Sequence, residues 1–384
     1  MSTGVTAAAG FRASGVAAGL KSGGASDVSV IVNDGPNYAA AGVFTSNRFA
    51  AAPVLWSKQV LTTRQLRAVV LNSGGANACT GPAGFADTHH TAEHAAQVLE
   101  CGAIEVAICS TGLIGEPLDM SLLLPGVDRA ISELAAEGGA AAAEAIMTTD
   151  TKPKTSAVVG DFTVGGMAKG AGMLAPGMAT MLSVITTDAV VDPIALDRAL
   201  NMANARTFNR VDSDGCMSTN DTVLLLASGA SGVSVSDSEL LDPLSQVCAD
   251  LSRQLVSDAE GASKEIRIEV RAAATELDAE TAARSVARSN LFKCAMFGED
   301  PNWGRILSAV GTTDCVFEPD QVDVAVNGVW VCRAGGVGDD RSGVSLSGRQ
   351  VEVTIDLGAG TCSAEVWTND LTHDYVHENS AYST

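Results

Sequence analysis

The pattern of apolar and polar positions divides the chain into short strands and longer helical stretches in mixed order. Residues 28–32 and 39–44 are apolar, partly β-branched runs separated by Asn33-Asp34-Gly35-Pro36-Asn37, which predicts a hairpin with a longer loop. Residues 66–72 predict a further strand, followed by a Gly- and Asn-rich loop over 72–81. A loop of that composition at a strand end suits a binding surface or a plain turn equally. Helical periodicity marks residues 85–100, with His90 and His94 on one face. No carboxylate or cysteine cluster joins that pair at zinc-like spacing, so a solvated face is expected and no metal. A strand over 104–109 runs into Ser110-Thr111-Gly112, and the Ala-rich segment 131–147 has strong helical propensity.

In the second half, residues 183–187 form a short apolar run suited to a buried strand, and Asp192-Pro193 supplies an N-cap and first residue for a helix to about Arg206. The polar loop over 212–221 lacks the spacing and terminal Glu of a calcium loop, and it precedes an apolar strand over 222–227. A helix from about 239 carries into Asp258-Ala259-Glu260-Gly261, with Gly261 suited to its cap. That puts Glu260 near a helix C-terminus, where an acid is electrostatically disfavoured, a cost that points to function. A strand over 265–270, a helix over 279–290, a turn at 302–305, a hairpin around Asn327-Gly328 and a second hairpin through residues 358–360 complete the chain. The alternation implies an α/β fold of layered sheets flanked by helices.

Composition narrows the function classes. At 384 residues the chain exceeds a typical single core, and 46% apolar with 4% aromatic content implies an aliphatic interior. No apolar run reaches the roughly eighteen residues of a membrane span, and the N-terminus lacks a basic then apolar leader. Nine cysteines without a CxxC pair fit reduced thiols, so a cytoplasmic location is expected. The net charge of −21 argues against nucleic-acid and membrane partners, and leaves local groups to attract an anionic substrate.

The densest chemistry lies in residues 169–182. Gly170, Gly172, Pro176 and Gly177 exclude a regular helix and deliver the chain through a loop to Thr180, just before the 183–187 run. Gly170-x-Gly172-x-x-Ala175 formally matches a dinucleotide fingerprint with Asp188 beyond it, but Pro176 and Gly177 occupy the turn where the fingerprint requires a helix to open. Two readings of the residues remain: Thr180 as a buried nucleophile held at the start of a strand, or a glycine-rich turn with an incidental Thr.

Lys169-Gly170-Ala171-Gly172-Met173 and Met178-Ala179-Thr180-Met181-Leu182 resemble the processing site of the ornithine acetyltransferases, the glutamate N-acetyltransferase family of arginine biosynthesis. Ser110-Thr111-Gly112-Leu113-Ile114-Gly115, Met147-Thr148-Thr149-Asp150-Thr151, Asp258-Ala259-Glu260-Gly261-Ala262, Asp300-Pro301-Asn302-Trp303-Gly304-Arg305 and the terminal segment 375–384 resemble further signatures in the family's order. The resemblance implies self-cleavage between Ala179 and Thr180, giving a front fragment 1–179 and a back fragment 180–384 interleaved in one catalytic lobe, with a smaller lobe within about 275–384. It implies that Thr180 carries the acetyl group, that Thr111 and Gly112 form the oxyanion hole, and that Thr148, Lys169, Thr180, Glu260, Asn379 and Thr384 contact substrate. It further implies an α2β2 assembly and no cofactor, with acetyl-CoA a co-substrate in some members.

The chemistry fits those residues. A Thr hydroxyl needs a base within reach, and cleavage would create one in the free α-amine, whose ordinary pKa of about 7.7–8.0 lies near working pH. The Lys169 ammonium would lower it further by like-charge repulsion. The competing expectations are a self-processed aminopeptidase of related fold, which passes the acyl group to water, and an uncut binding protein.

Overall fold

Strands with every side chain buried dominate the first of the chain's two units. The computed structural model describes residues 4–175 and 181–381. The first unit takes the described residues of Met1–Asn209 with Cys216–Asp258, and the second takes Arg210–Gly215 with the described residues of Ala259–Ser383.

Among its described residues the first unit holds a four-stranded and a five-stranded sheet. The four-stranded sheet runs Phe11–Val16, Val28–Asn33, Ala68–Ser73, Val106–Thr111, and its last two strands are parallel. The five-stranded sheet runs Ala39–Phe44, Thr222–Ala227, Leu182–Thr187, Thr163–Lys169, Lys154–Val159. Strands from before residue 179 and after residue 180 therefore share this sheet. Period-two alternation decides which core each side chain enters: Leu224 and Leu226 join the core shared with the four-stranded sheet. Val223 and Leu225 pack instead against the helices Pro193–Arg206 and Asp237–Ser257. The result is layered sheets flanked by helices, built from aliphatic side chains.

The second unit, among its described residues, is a six-stranded sheet carrying the helices Glu276–Ala287, Asn290–Phe297 and Trp303–Val310. Strand Glu265–Ala273 lies inside it, parallel to Gln350–Asp356 on one side and antiparallel to Cys362–Asn369 on the other. Ile266, Ile268 and Val270 of that strand face the core, and its charged residues alternate outward.

Several sequence expectations hold. Asp192 caps the Pro193–Arg206 helix by accepting from the amides of Ile194 and Ala195. The Asn327-Gly328 hairpin forms, with φ of 46° and 82° at the two turn residues.

Others fail, each for a tertiary reason. The 28–32 and 39–44 strands exist but do not pair: Val28–Asn33 lies between Phe11–Val16 and Ala68–Ser73, whereas Ala39–Phe44 pairs with Thr222–Ala227. The hairpin through 358–360 is likewise split, because Glu265–Ala273 inserts between its two strands. The Ala-rich 131–147 segment is not one helix: it holds the last residues of helix Met120–Ser132, a non-helical stretch, and the short helix Gly139–Ala145. The chain breaks where a Cβ at Gly138 would lie 1.8 Å from the Ala13 carbonyl oxygen, and Ala135 bridges to Ala13. The expected turn at 302–305 is the start of helix Trp303–Val310, capped by Asn302. The expected 279–290 helix is Glu276–Ala287, and a second helix starts at Asn290.

Candidate active site

Strand Val106–Thr111 ends with Thr111 buried and its carbonyl accepting from the amides of Gly74 and Gly75 at 2.9 and 3.1 Å. Gly112 follows at φ +132°, and a Cβ there would lie 2.6 Å from the Gly75 backbone nitrogen, so only glycine fits. The Gly112 N–H donates to no acceptor among the described residues. Asn72 braces this turn: its side-chain oxygen accepts from the Ser110 hydroxyl at 2.5 Å and its amide donates to the Gly75 carbonyl at 3.0 Å. The loop over 72–81, left open by the sequence between a binding surface and a plain turn, thus supports Thr111 and Gly112.

Lys169 closes strand Thr163–Lys169 and is 1% exposed. Its Nζ donates to Thr148 Oγ1 at 2.6 Å and to Thr111 Oγ1 at 3.1 Å. An ammonium has no acceptor capacity, so both Thr oxygens accept and each hydroxyl hydrogen is left to donate elsewhere. Among the described residues neither hydrogen finds an acceptor. Two hydroxyls around a cation, next to the open Gly112 amide, make a corner suited to a carbonyl oxygen gaining negative charge.

A buried ion cluster holds that corner. Asp150 accepts from the amides of Gly170 at 2.7 Å and Thr148 at 3.0 Å, and so fixes the residues flanking the Lys169–Thr148 contact. Lys154, fully buried, bridges Asp150 at 2.5 Å and Asp258 at 2.6 Å. Asp258 in turn accepts from the Thr151 amide at 3.0 Å and from its hydroxyl. Burial alone would raise the Asp150 pKa, but Lys169, Lys154 and the Thr148 amide outweigh it and hold the carboxyl at about 2. Lys21, donating to the Met147 carbonyl at 2.6 Å, has its pKa lowered by burial first, with Lys169 adding repulsion.

The structure thus brings Thr111, Gly112, Thr148 and Lys169 together. Ala179, Thr180 and Thr384 lie outside the described residues. The residue after Thr180 is held at both ends: the Met181 amide donates to Asp221 Oδ1 at 3.0 Å, and its carbonyl accepts from the Thr222 amide at 3.1 Å. In the second unit, Asn379 donates to Glu260 Oε2 at 3.0 Å. Glu260 lies near the end of helix Asp237–Ser257 as expected, but that helix is capped at Asp258 and not at Gly261, which has φ +60° in a later turn. His94 pairs with Asp128 at 2.7 Å, while His90 is exposed. Among the described residues no group of three or more His, Cys, Asp or Glu is placed to hold a metal ion.

The chain matches the ArgJ family model over residues 12–384. It is 65% identical over 381 residues to the arginine biosynthesis bifunctional protein ArgJ of Streptomyces avermitilis, covering 99% of this chain and 100% of that protein. The chain belongs to the ArgJ family. It is 57% identical over 390 residues to the ArgJ of Mycobacterium tuberculosis, with 99% of this chain and 96% of that protein covered. Among solved structures, it is similar to an ornithine acetyltransferase from M. tuberculosis complexed with ornithine, at 61% identity and a TM-score of 0.45, covering 47% of this chain and 96% of that one. As an ArgJ-family chain it is an enzyme, and no helix among its described residues is long and apolar enough to cross a membrane.

For this ArgJ-family site, sequence reasoning named the groups that would touch substrate and missed those that hold them. Asp150 and Asp258 lie inside quoted signatures and Lys154 outside them, and the Lys154–Asp258 pairing spans 104 residues of chain. No local sequence signal marks them, since each reads as an ordinary charge until the fold buries it.

Proposed function

We propose that this enzyme transfers an acetyl group from N2-acetyl-L-ornithine to L-glutamate through an acetyl-Thr180 intermediate, after cutting itself between Ala179 and Thr180. The observation that carries the reading is the Lys169-centred corner, where Thr111, Thr148 and Gly112 offer three donors that are uncommitted among the described residues. The family relation to bifunctional proteins of arginine biosynthesis supports the pathway.

In the first half-reaction the Thr180 α-amine takes the Oγ proton as Oγ bonds to the acetyl carbon. The carbonyl electrons move onto oxygen, and Thr111 Oγ–H with Gly112 N–H stabilise that charge. Collapse breaks the C–N bond, and the proton passes from the α-amine to the departing ornithine nitrogen. The glutamate amine then attacks the acetyl ester by the same steps in reverse and restores the free hydroxyl. Lys169 holds the Thr111 and Thr148 hydroxyls at that corner, and Thr148, Lys169, Glu260, Asn379 and Thr384 are assigned to substrate by the resemblance.

No cofactor is required. Acetyl-CoA is a slower second donor on this reading, because the net charge of −21 opposes a polyanion. The enzyme works in the cytoplasm as an α2β2 assembly of its two fragments. The test is acetyl labelling: N-acetylornithine alone should leave an acetyl group on the Thr180 peptide, discharged by glutamate. No label, or a label that water discharges equally fast, would overturn the mechanism.

A further inference from the structure

Asn220 lies two residues before the strand Thr222–Ala227 of the five-stranded sheet and is buried. Its side chain crosses to the last strand of the four-stranded sheet and the loop beside it. Nδ2 donates to the Ser110 carbonyl at 2.8 Å and to the Ala76 carbonyl at 2.6 Å. Both acceptors are carbonyl oxygens, so only the NH2 end of the carboxamide fits against them, and both of its hydrogens are used. The other end is fixed too, because Oδ1 accepts from the Thr219 hydroxyl at 2.6 Å. The Asn220 backbone is held as firmly, its N–H donating to Ser218 Oγ at 3.1 Å and its carbonyl accepting from Thr222 Oγ1 at 3.0 Å.

The two carbonyls that Asn220 grips govern two successive peptide planes. The Ser110 carbonyl belongs to the planar unit that ends in the Thr111 nitrogen, so holding it fixes how the chain enters the Thr111 Cα, from which the hydroxyl-bearing side chain departs. The next plane, from Thr111 to Gly112, is held through the Thr111 carbonyl by the amides of Gly74 and Gly75. In a trans peptide the N–H and C=O point in opposite directions, so those bonds aim the Gly112 N–H away from Gly74 and Gly75. Asn220 reaches this plane as well, since its bond to the Ala76 carbonyl anchors the residue that follows Gly75. The Ala76 amide donates to the Leu113 carbonyl at 2.9 Å and closes the far side of the turn.

We propose that Asn220 is a positioning residue for acetyl transfer: its carboxamide sets the peptide planes that aim the Thr111 hydroxyl and the Gly112 N–H at the substrate carbonyl oxygen. It touches no reacting atom and moves no proton. The role rests on the reading of Thr111 and Gly112 as the pair that stabilises the oxyanion. Such donors work because they are aimed before charge develops, so a brace that only orients them acts on the transition state and leaves ground-state binding alone.

Asn220→Ala removes both donors, while Asn220→Asp keeps the shape but, once ionised, can only accept. Full chains are compared, and active sites are counted by the ornithine that N-acetylornithine releases in a first turnover without glutamate. Per counted site, kcat for transfer to glutamate should fall at least tenfold in both variants, with KM for N-acetylornithine changed less than twofold. Thr111→Val in the same assay sets the scale. Because Asn220 acts through Thr111 and its neighbour, combining Asn220→Ala with Thr111→Val should cost at least fivefold less than the product of the two single losses. A purely structural role predicts fewer counted sites at unchanged kcat, and that result would overturn the proposal, as would single losses that simply multiply. Full kcat in Thr111→Val alone would instead sink the oxyanion reading beneath it.

Discussion

Lys154→Met removes one charge from the cluster that holds the Lys169 corner and leaves the stem of the side chain nearly intact. In the folded chain the Lys154 ammonium is fully buried and bonded to Asp150 at 2.5 Å and Asp258 at 2.6 Å. Methionine fills the same space with a flexible apolar chain, so the cavity contribution is small. What remains is two buried carboxylates facing one another without their shared cation. Removing one partner of a buried ion pair costs about 3–5 kcal/mol, mostly for the charge left uncompensated. Part of that is recovered if one carboxyl takes up a proton, which would favour the low end of the range. A urea titration followed by circular dichroism at neutral pH reads the change as a lower midpoint at constant slope. The same variant should lose acetyl transfer in buffer, because Asp150 also fixes the Gly170 and Thr148 amides on either side of Lys169. A midpoint within about 1 kcal/mol of wild type would refute the reasoning, since a buried cation between two carboxylates cannot be that cheap to remove.

Asp150 predicts acid lability with a definite sign. Its folded pKa of about 2 lies below its usual value, so its contribution to stability is present above about pH 4 and lost as pH falls toward 2. Urea midpoints across that window should fall in wild type and flatten in Asp150→Asn. Gly112→Ala should lower kcat at least a hundredfold, because φ is +132° and the new Cβ would meet the Gly75 backbone nitrogen at 2.6 Å, an atom that cannot swing aside. Steady-state kinetics on folded protein check this. Thr111→Val should cost about 10²–10³ in kcat with little change in KM, and Thr111→Ser should retain most of the rate.

Local pattern made the strands visible and hid their partners. Val28–Asn33 is buried at every position, so nothing in its alternation says that it lies between Phe11–Val16 and Ala68–Ser73 and not beside Ala39–Phe44. The same holds for Gln350–Asp356 and Cys362–Asn369, separated by a strand some eighty residues upstream. By contrast, Asp192-Pro193 and Asn327-Gly328 act within a few residues, and both behave as expected. The candidate site divides along the same line. Thr111 and Gly112 are picked out by the family resemblance at a strand end, whereas Lys154 looks like an ordinary charge until the fold buries it. Its contact with Asp258 spans 104 residues, beyond the reach of spacing arguments.

The central claim is that Thr180 is both the point of cleavage and the nucleophile, and intact mass with N-terminal sequencing of wild type beside Thr180→Ala tests it most directly. The account predicts two wild-type fragments of 179 and 205 residues, the second beginning with Thr180, and a single uncut chain of 39.1 kDa for Thr180→Ala. A wild-type protein that stays one 39.1 kDa chain, or a Thr180→Ala protein that still yields two fragments, would contradict it.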